Sequence, residues 1–318
     1  MKSATWTVWH TIEEHQSHDA DVKKYIFKLP DAIAEAVLYK YGSYEERTVM
    51  CISTQTGCPM GCTFCGTGKF FGRNLTTQEI VDQVHYMVAA NDIDVENVKK
   101  MQIMVMSMGE PLLNMPNVAP AFFEFNRMYK NAALLVSTSA PKTHDGWDRF
   151  FELASCLPQV GLQFSVHEST DEARDLIMPM KAKLNLEQIA LRGEYFHELT
   201  GRRPYFNYCV GEHNKSAEDA QRLAGLFDPT IWEATLSVIC EADVNMKDAV
   251  QDQFEMVSAF SSKLLGHGFN TRVFNPSGQS DVGGGCGQLW SVQEYAKANP
   301  DHFQQSAGNK IACRQLES

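Results

Sequence analysis

Four of the nine cysteines in this 318-residue chain fall in one stretch, CISTQTGCPMGCTFCGTGKF, residues 51–70. Cys58, Cys62 and Cys65 are spaced C-x3-C-x2-C, and Cys51 stands seven residues upstream. Three thiolates on one loop are an incomplete ligand set. Structural zinc closes with four ligands, usually as two Cys-x2-Cys pairs or with a Cys/His pair. No matching second pair follows here. A 4Fe-4S cluster takes one ligand per iron, so three thiolates leave one iron open to a substrate. Gly57, Gly61, Gly66 and Gly68 let the backbone wrap closely around such a group. A zinc knuckle or plain buried cysteines are the alternatives.

The elements that must position this loop are legible from about residue 48. A β-like run, TVMCIST, is followed by a helix starting at Thr76 or Thr77, with Ile80, Val84, Met87 and Val88 on one face. Strand-like runs then alternate with helices: MQIMVMSM, LLVSTSA, VGLQFSVHE, PYFNYCVGE and ATLSVICEA, with NTRVFNP as a last strand. Repeated strand–helix units with apolar strands predict an α/β fold with a parallel sheet. Six units without a dinucleotide fingerprint predict a partial (β/α)6 TIM-like barrel. Active groups then belong at the C-terminal ends of the strands. There stand Cys58–Cys65, Gly109-Glu110, Ser137 and Ser139, and Ser165 with His167. Residues 1–45 read as a short helical lead-in, 46–285 as the barrel, and 286–318 as a tail beginning at Cys286.

Composition narrows the partners. The clustering of the cysteines does not resemble a disulfide framework. The N-terminus lacks a signal-peptide core and no apolar run reaches membrane-spanning length, so a cytoplasmic protein without a membrane partner is expected. The formal net charge is −11. That balance argues against a broad basic face for nucleic acid.

The three-cysteine loop resembles that of the radical S-adenosylmethionine (SAM) superfamily. MSMGEPL, residues 106–112, is similar to the motif that holds the SAM ammonium in that superfamily. The resemblance narrows to the RlmN/Cfr RNA adenine methylases over about residues 30–290. It rests on CISTQTGCPMGCTFC, GRNLTTQEIVDQV, MGEPLLNM, VSTSAPK, FSVHESTDEARDLIMP and CGQL, in family order. It implies a 4Fe-4S cluster on Cys58, Cys62 and Cys65, and SAM held by Gly109, Glu110, Ser137, Ser165, Val166 and His167. An adenine ring carbon is electrophilic and cannot be methylated by simple attack on SAM. The resemblance therefore implies a methyl carrier at Cys286, a resolving thiol at Cys51 that releases product through a disulfide, and a base at Glu35. The implied reaction is methylation of carbon 2 of an adenosine in rRNA or tRNA, with a low-potential electron donor.

The sequence departs from the family in three places. About 45 residues stand where the family carries an accessory domain. No Lys or Arg occurs from Val273 to Cys286. The family's late SAM-contacting asparagine has only Cys240 or Asn245 as counterparts. A nucleotide or other small substrate, a non-methylating radical enzyme and a non-catalytic metal protein are the alternative readings.

Overall fold

The computed structural model describes residues 7–68, 70–238, 250–274, 278, 281–285, 287–302 and 304–305. A ten-stranded sheet organises them, in the order β1-β2-β3-β4-β7-β8-β9-β10-β11-β12. Strands β1 (Thr11–Gln16), β2 (Val22–Leu29), β3 (Ala32–Tyr41) and β4 (Ser43–Ile52) pair antiparallel. From β4 onward every pairing is parallel, through β7 (Met101–Val105), β8 (Ala132–Thr138), β9 (Val160–Ser165), β10 (Tyr205–Cys209), β11 (Glu233–Ser237) and β12 (Asn270–Phe274). A small second sheet joins β5 (Gln55–Gly57), β6 (Phe70–Asn74) and β13 (Gln304–Gln305).

Helices α1 (Thr77–Ala90), α2 (Met115–Met128), α3 (Gly146–Cys156), α5 (Leu186–Thr200), α6 (Ala217–Leu226) and α7 (Val250–Gly266) make the parallel crossovers, and a short α4 (Asp171–Ile177) precedes α5. Helix α8 (Trp290–Ala298) packs against β3. Thr76 caps α1 in a capping box with Glu79. Side chains alternate through the strands. Ile103, Val105, Leu134, Val136, Leu162, Phe164, Phe206 and Leu236 join the core. Their neighbours Met104, Ser137, Gln163, Asn207 and Ser237 line cavities on the other face. The six strand–helix units expected from sequence are present, and the fold is the expected partial barrel.

The N-terminal segment differs from the expectation. From sequence, residues 1–45 read as a short helical segment; the described part is instead three strands of the main sheet and the start of a fourth. Alanine at 32, 34 and 36 favours a helix locally, but β3 is buried on both faces. Ala36 and Leu38 join the main core, while Val37 and Tyr39 pack beside Cys51 and Met104. A doubly buried strand has no polar alternation to reveal it. Among the described residues no helix is long and apolar enough to cross a membrane.

Candidate active site

The cysteine loop leaves the barrel between β5 and β6, at the C-terminal end of β4. Cys58, Cys62 and Cys65 line one pocket together with Gly109, Glu110, Ser137, Ser139, Ser165 and His167. Strand ends far apart in sequence thus meet the loop at one place. The loop is closed so tightly that a Cβ on Gly68 would lie 2.1 Å from the carbonyl oxygen of Cys62. Burial pushes the Cys62 thiol up to about 12 and that of Cys58 well above its ordinary value. Among the described residues no three His, Cys, Asp or Glu side chains converge as ligands of a single ion do.

Glu110 is 2 % exposed. Its carboxylate accepts hydrogen bonds from Thr138 Oγ1 at 2.6 Å, Ser139 N at 2.7 Å and Leu112 N at 3.1 Å. Burial nevertheless raises its pKa to about 7, against the opposite pull of these hydrogen bonds and of the Arg174 charge. Gly109 at φ +101° lets the chain turn against β5, where a Cβ would lie 2.7 Å from the Gln55 side chain. His167 has φ 61° and is buried. Burial, with a contribution from Arg174, lowers its pKa to about 3, so the ring is neutral. The Cys209 N–H donates to Nδ1 at 3.1 Å, which leaves the proton on Nε2. Val166 is buried outside the pocket lining and donates its N–H to Asn207.

Arg174, which stands in the block FSVHESTDEARDLIMP, holds the frame of the pocket and was not singled out by the sequence. It is wholly buried and donates to the carbonyls of Leu184, Ser139 and Ser165. It ties together the ends of β8 and β9, and its charge favours the ionised form of Cys62 and Glu110. Asn207 and Cys209, which no motif marked, also line the pocket.

A second cavity adjoins the first, sharing Met106, Ser107 and Gly287 with it. It is lined by Cys51, Val37 and Tyr39 on one side and by Gly283, Gly284, Gly285 and Gly287 on the other. Burial pushes the Cys51 thiol up to about 12. Cys286 itself lies outside the described residues, as do Cys240 and Asn245. Glu35 is not brought to either cavity. It shares the sheet face of Val37 and Cys51, but Lys24 and the Val292 N–H engage its carboxylate.

The residues present fit an iron–sulfur cluster with one open iron. Three thiols lining one pocket would hold three irons as thiolates, and metal would offset the desolvation that raises Cys58 and Cys62. Glu110, which lines the same pocket, would pair with the ammonium of a bound amino acid group.

An open parallel barrel with three thiols on the loop after its first parallel strand defines the class, and the profile of the radical SAM superfamily matches residues 52–224. Within that superfamily the chain belongs to the RlmN family. It is 32 % identical over 295 residues to a probable dual-specificity RNA methyltransferase RlmN of Petrotoga mobilis, covering 91 % of this chain and 80 % of the relative. It is 36 % identical over 282 residues to the dual-specificity RNA methyltransferase RlmN of Pelobacter propionicus, covering 84 % and 74 %. A radical SAM methyltransferase structure from Sphaerobacter thermophilus superimposes with a TM-score of 0.74 at 26 % identity, covering 89 % of this chain and 81 % of that one. The cofactors of this enzyme class are a 4Fe-4S cluster and SAM.

Proposed function

We propose that this protein methylates carbon 2 of an adenosine in RNA, through a methyl group carried on Cys286 and released by Cys51. The observation that carries the reading is the second cavity. Cys51 shares it with Gly285 and Gly287, the residues on either side of Cys286, and it opens beside the three-thiol pocket.

When bound, the cluster and SAM supply a methyl group and an organic radical that removes hydrogen from a carbon. Cys58, Cys62 and Cys65 hold the cluster, and Glu110 orients the SAM ammonium. Val37, Met104 and Phe274 keep the second cavity largely apolar, which shields a reactive carbon from water. Joining the Cys286 methylene to the ring carbon would require the ring hydrogen to leave as a proton and one electron to pass from the adduct to the cluster; Cys51 then attacks the Cys286 sulfur as a thiolate. A disulfide forms, the carbon–sulfur electrons pass to the product carbon, and that carbon takes up a proton to become methyl. Thiol reductants then restore both cysteines.

RNA as substrate is supported by a third cavity, which shares Met104, Met106 and Phe274 with the second. Arg47 and Arg272 line it. They give local positive charge that the net charge of −11 conceals.

The test is anaerobic purification of Cys51→Ala, followed by digestion and mass measurement of the Cys286 peptide. A methylene-linked nucleotide is the expected result, and its mass names the base. Methylation by a Cys286→Ala protein would end this reading.

A further inference from the structure

The third cavity is the roomiest of the three that adjoin one another. Its volume is about 220 Å³, against about 100 Å³ for the three-thiol pocket and about 30 Å³ for the cavity beside Cys51. About 30 Å³ is one water's share of the liquid, and the three-thiol pocket is taken by the cluster and SAM. A nucleobase therefore has room only in the third. That cavity borders both others, sharing Met106 and Asn207 with the three-thiol pocket and Met104, Met106 and Phe274 with the cavity of Cys51.

Its lining is sorted by exposure. Arg272 is exposed and Arg47 is half-buried. Gln163 and Asn207 are 2 % and 4 % exposed. Neighbouring hydroxyls orient both amides. Gln163 Nε2 donates to Ser137 Oγ at 3.3 Å, and Asn207 Oδ1 accepts from Ser237 Oγ at 2.9 Å. Neither Gln163 Oε1 nor Asn207 Nδ2 has a hydrogen-bond partner among the described residues. Strands β9 and β10 pair in parallel with Ser165 beside Asn207, so Gln163, two positions before Ser165, lies on the same face. Adjacent strands thus offer one acceptor and one donor to the same space. A buried amide with half its hydrogen bonding unmet is costly until a ligand completes it. Met104, Leu135 and Phe274 add apolar walls, the usual company of a few placed polar groups in a ligand site.

Adenine presents an amino donor at N6 beside a ring-nitrogen acceptor, whereas guanine carries the acceptor O6 in the amino group's place. We propose that the third cavity is the base pocket, in which Gln163 accepts from the N6 amino group of a flipped adenine and Asn207 donates to the neighbouring ring nitrogen. The proposal rests on the adenosine-methylase reading and names specificity-determining residues for it. A flipped base is read in this way, by bonds to its edge and packing on its faces. Arg47 and Arg272 then meet the phosphates, while Asn207 and Met104 bring the ring against the three-thiol pocket and Cys51. Cytosine carries a similar donor–acceptor pair on a single ring, so it enters the test as a competitor.

The test titrates the reconstituted holoenzyme, with SAM bound and no reductant, with 5'-AMP, 5'-IMP and 5'-CMP. IMP has a carbonyl where AMP has its N6 amino group. Wild type should bind AMP on the order of tenfold more tightly than IMP. Gln163→Leu should bring the two affinities together. Gln163→Glu keeps an acceptor and should retain the preference. Asn207→Asp keeps an acceptor for Ser237 but loses the donor, and should weaken AMP binding. Iron content and SAM affinity show which variants are folded; where a variant is not, the wild-type comparison of AMP with IMP decides. Equal wild-type affinities, no AMP binding, tighter binding of CMP, or a folded Gln163→Leu that still prefers AMP would each overturn the proposal. Methyl transfer to RNA without a preference for AMP would uphold the methylase and overturn the pocket. Selective AMP binding by an enzyme that transfers no methyl group would uphold the pocket and defeat the methylase reading.

Discussion

Glu110 accepts a 2.6 Å hydrogen bond from the Thr138 hydroxyl, which joins the end of β7 to the end of β8 inside the three-thiol pocket. Burial outweighs this bond and two from backbone N–H groups, and the pKa rises to about 7. A ligand ammonium binds the ionised form. Above pH 7 the carboxylate is ready, so SAM affinity should be flat. Below pH 7 a proton must leave first, and affinity should fall up to about tenfold per unit. Calorimetry at pH 6 and pH 8 checks this, and equal affinities would refute it. For folding the sign is reversed. The folded state holds this proton more tightly than the unfolded chain, so Glu110's contribution is present at low pH and lost as pH rises through about 7.

Cys51 should be slow at neutral pH. Burial in the apolar cavity holds its thiol at about 12, and only the thiolate attacks sulfur. Its thiolate fraction grows about tenfold per pH unit below that value. In a single turnover, release of the Cys286 adduct should accelerate from pH 7 to pH 9 with a slope near that limit. Rapid-quench mass measurement of the adduct checks it. A release rate indifferent to pH would mean that a neighbouring base takes the thiol proton.

Arg174 should be needed for the pocket as well as for the fold. Arg174→Met leaves the carbonyls of Leu184, Ser139 and Ser165 without this donor. A loss of about 3 kcal/mol is expected by denaturant unfolding. Reconstituted iron should also fall, because the charge favouring the Cys62 thiolate is gone. Arg174→Lys restores the charge without the fork of donors, so it should recover iron more fully than stability.

What the sequence reveals depends on how far apart the partners stand. Thr76 and Glu79, three positions apart, announce the start of α1, and the three cysteines announce their loop. Gly109-Glu110 and His167 are found by their place at strand ends. Lys24 and Arg174 carry no such signal, because their partners lie at 35 and 283, and at 139, 165 and 184. Only folding brings those groups together. Residues 32–41 mislead for the opposite reason: their local preference is helical, and burial on both faces overrides it. Family resemblance places Glu35 in the chemistry, yet its surroundings depend on Val292, 257 positions away.

Charge is the other quantity that composition conceals, and it yields a prediction about RNA. Arg47 stacks over Tyr41 at 4.5 Å and donates to Gln102 at 3.0 Å. Arg272 stacks over Tyr205 at 5.0 Å and donates to Thr235 at 3.3 Å. Among the described residues neither guanidinium pairs with a carboxylate, so both keep their charge for a ligand. They come from β4 and β12, on opposite sides of the same cavity. An RNA backbone crossing it would meet one on each side. Each phosphate contact contributes about 0.7 to the salt slope of single-strand binding. Arg47→Gln and Arg272→Gln should therefore each weaken RNA binding several-fold at low salt and lower that slope by about one contact. SAM affinity and 5'-deoxyadenosine formation should not change, because neither arginine lines the three-thiol pocket. Binding titrations from 50 to 200 mM salt decide it, as orders of magnitude of affinity turn on that range when several phosphates are held. An unchanged slope in the double variant would place the RNA elsewhere on the protein.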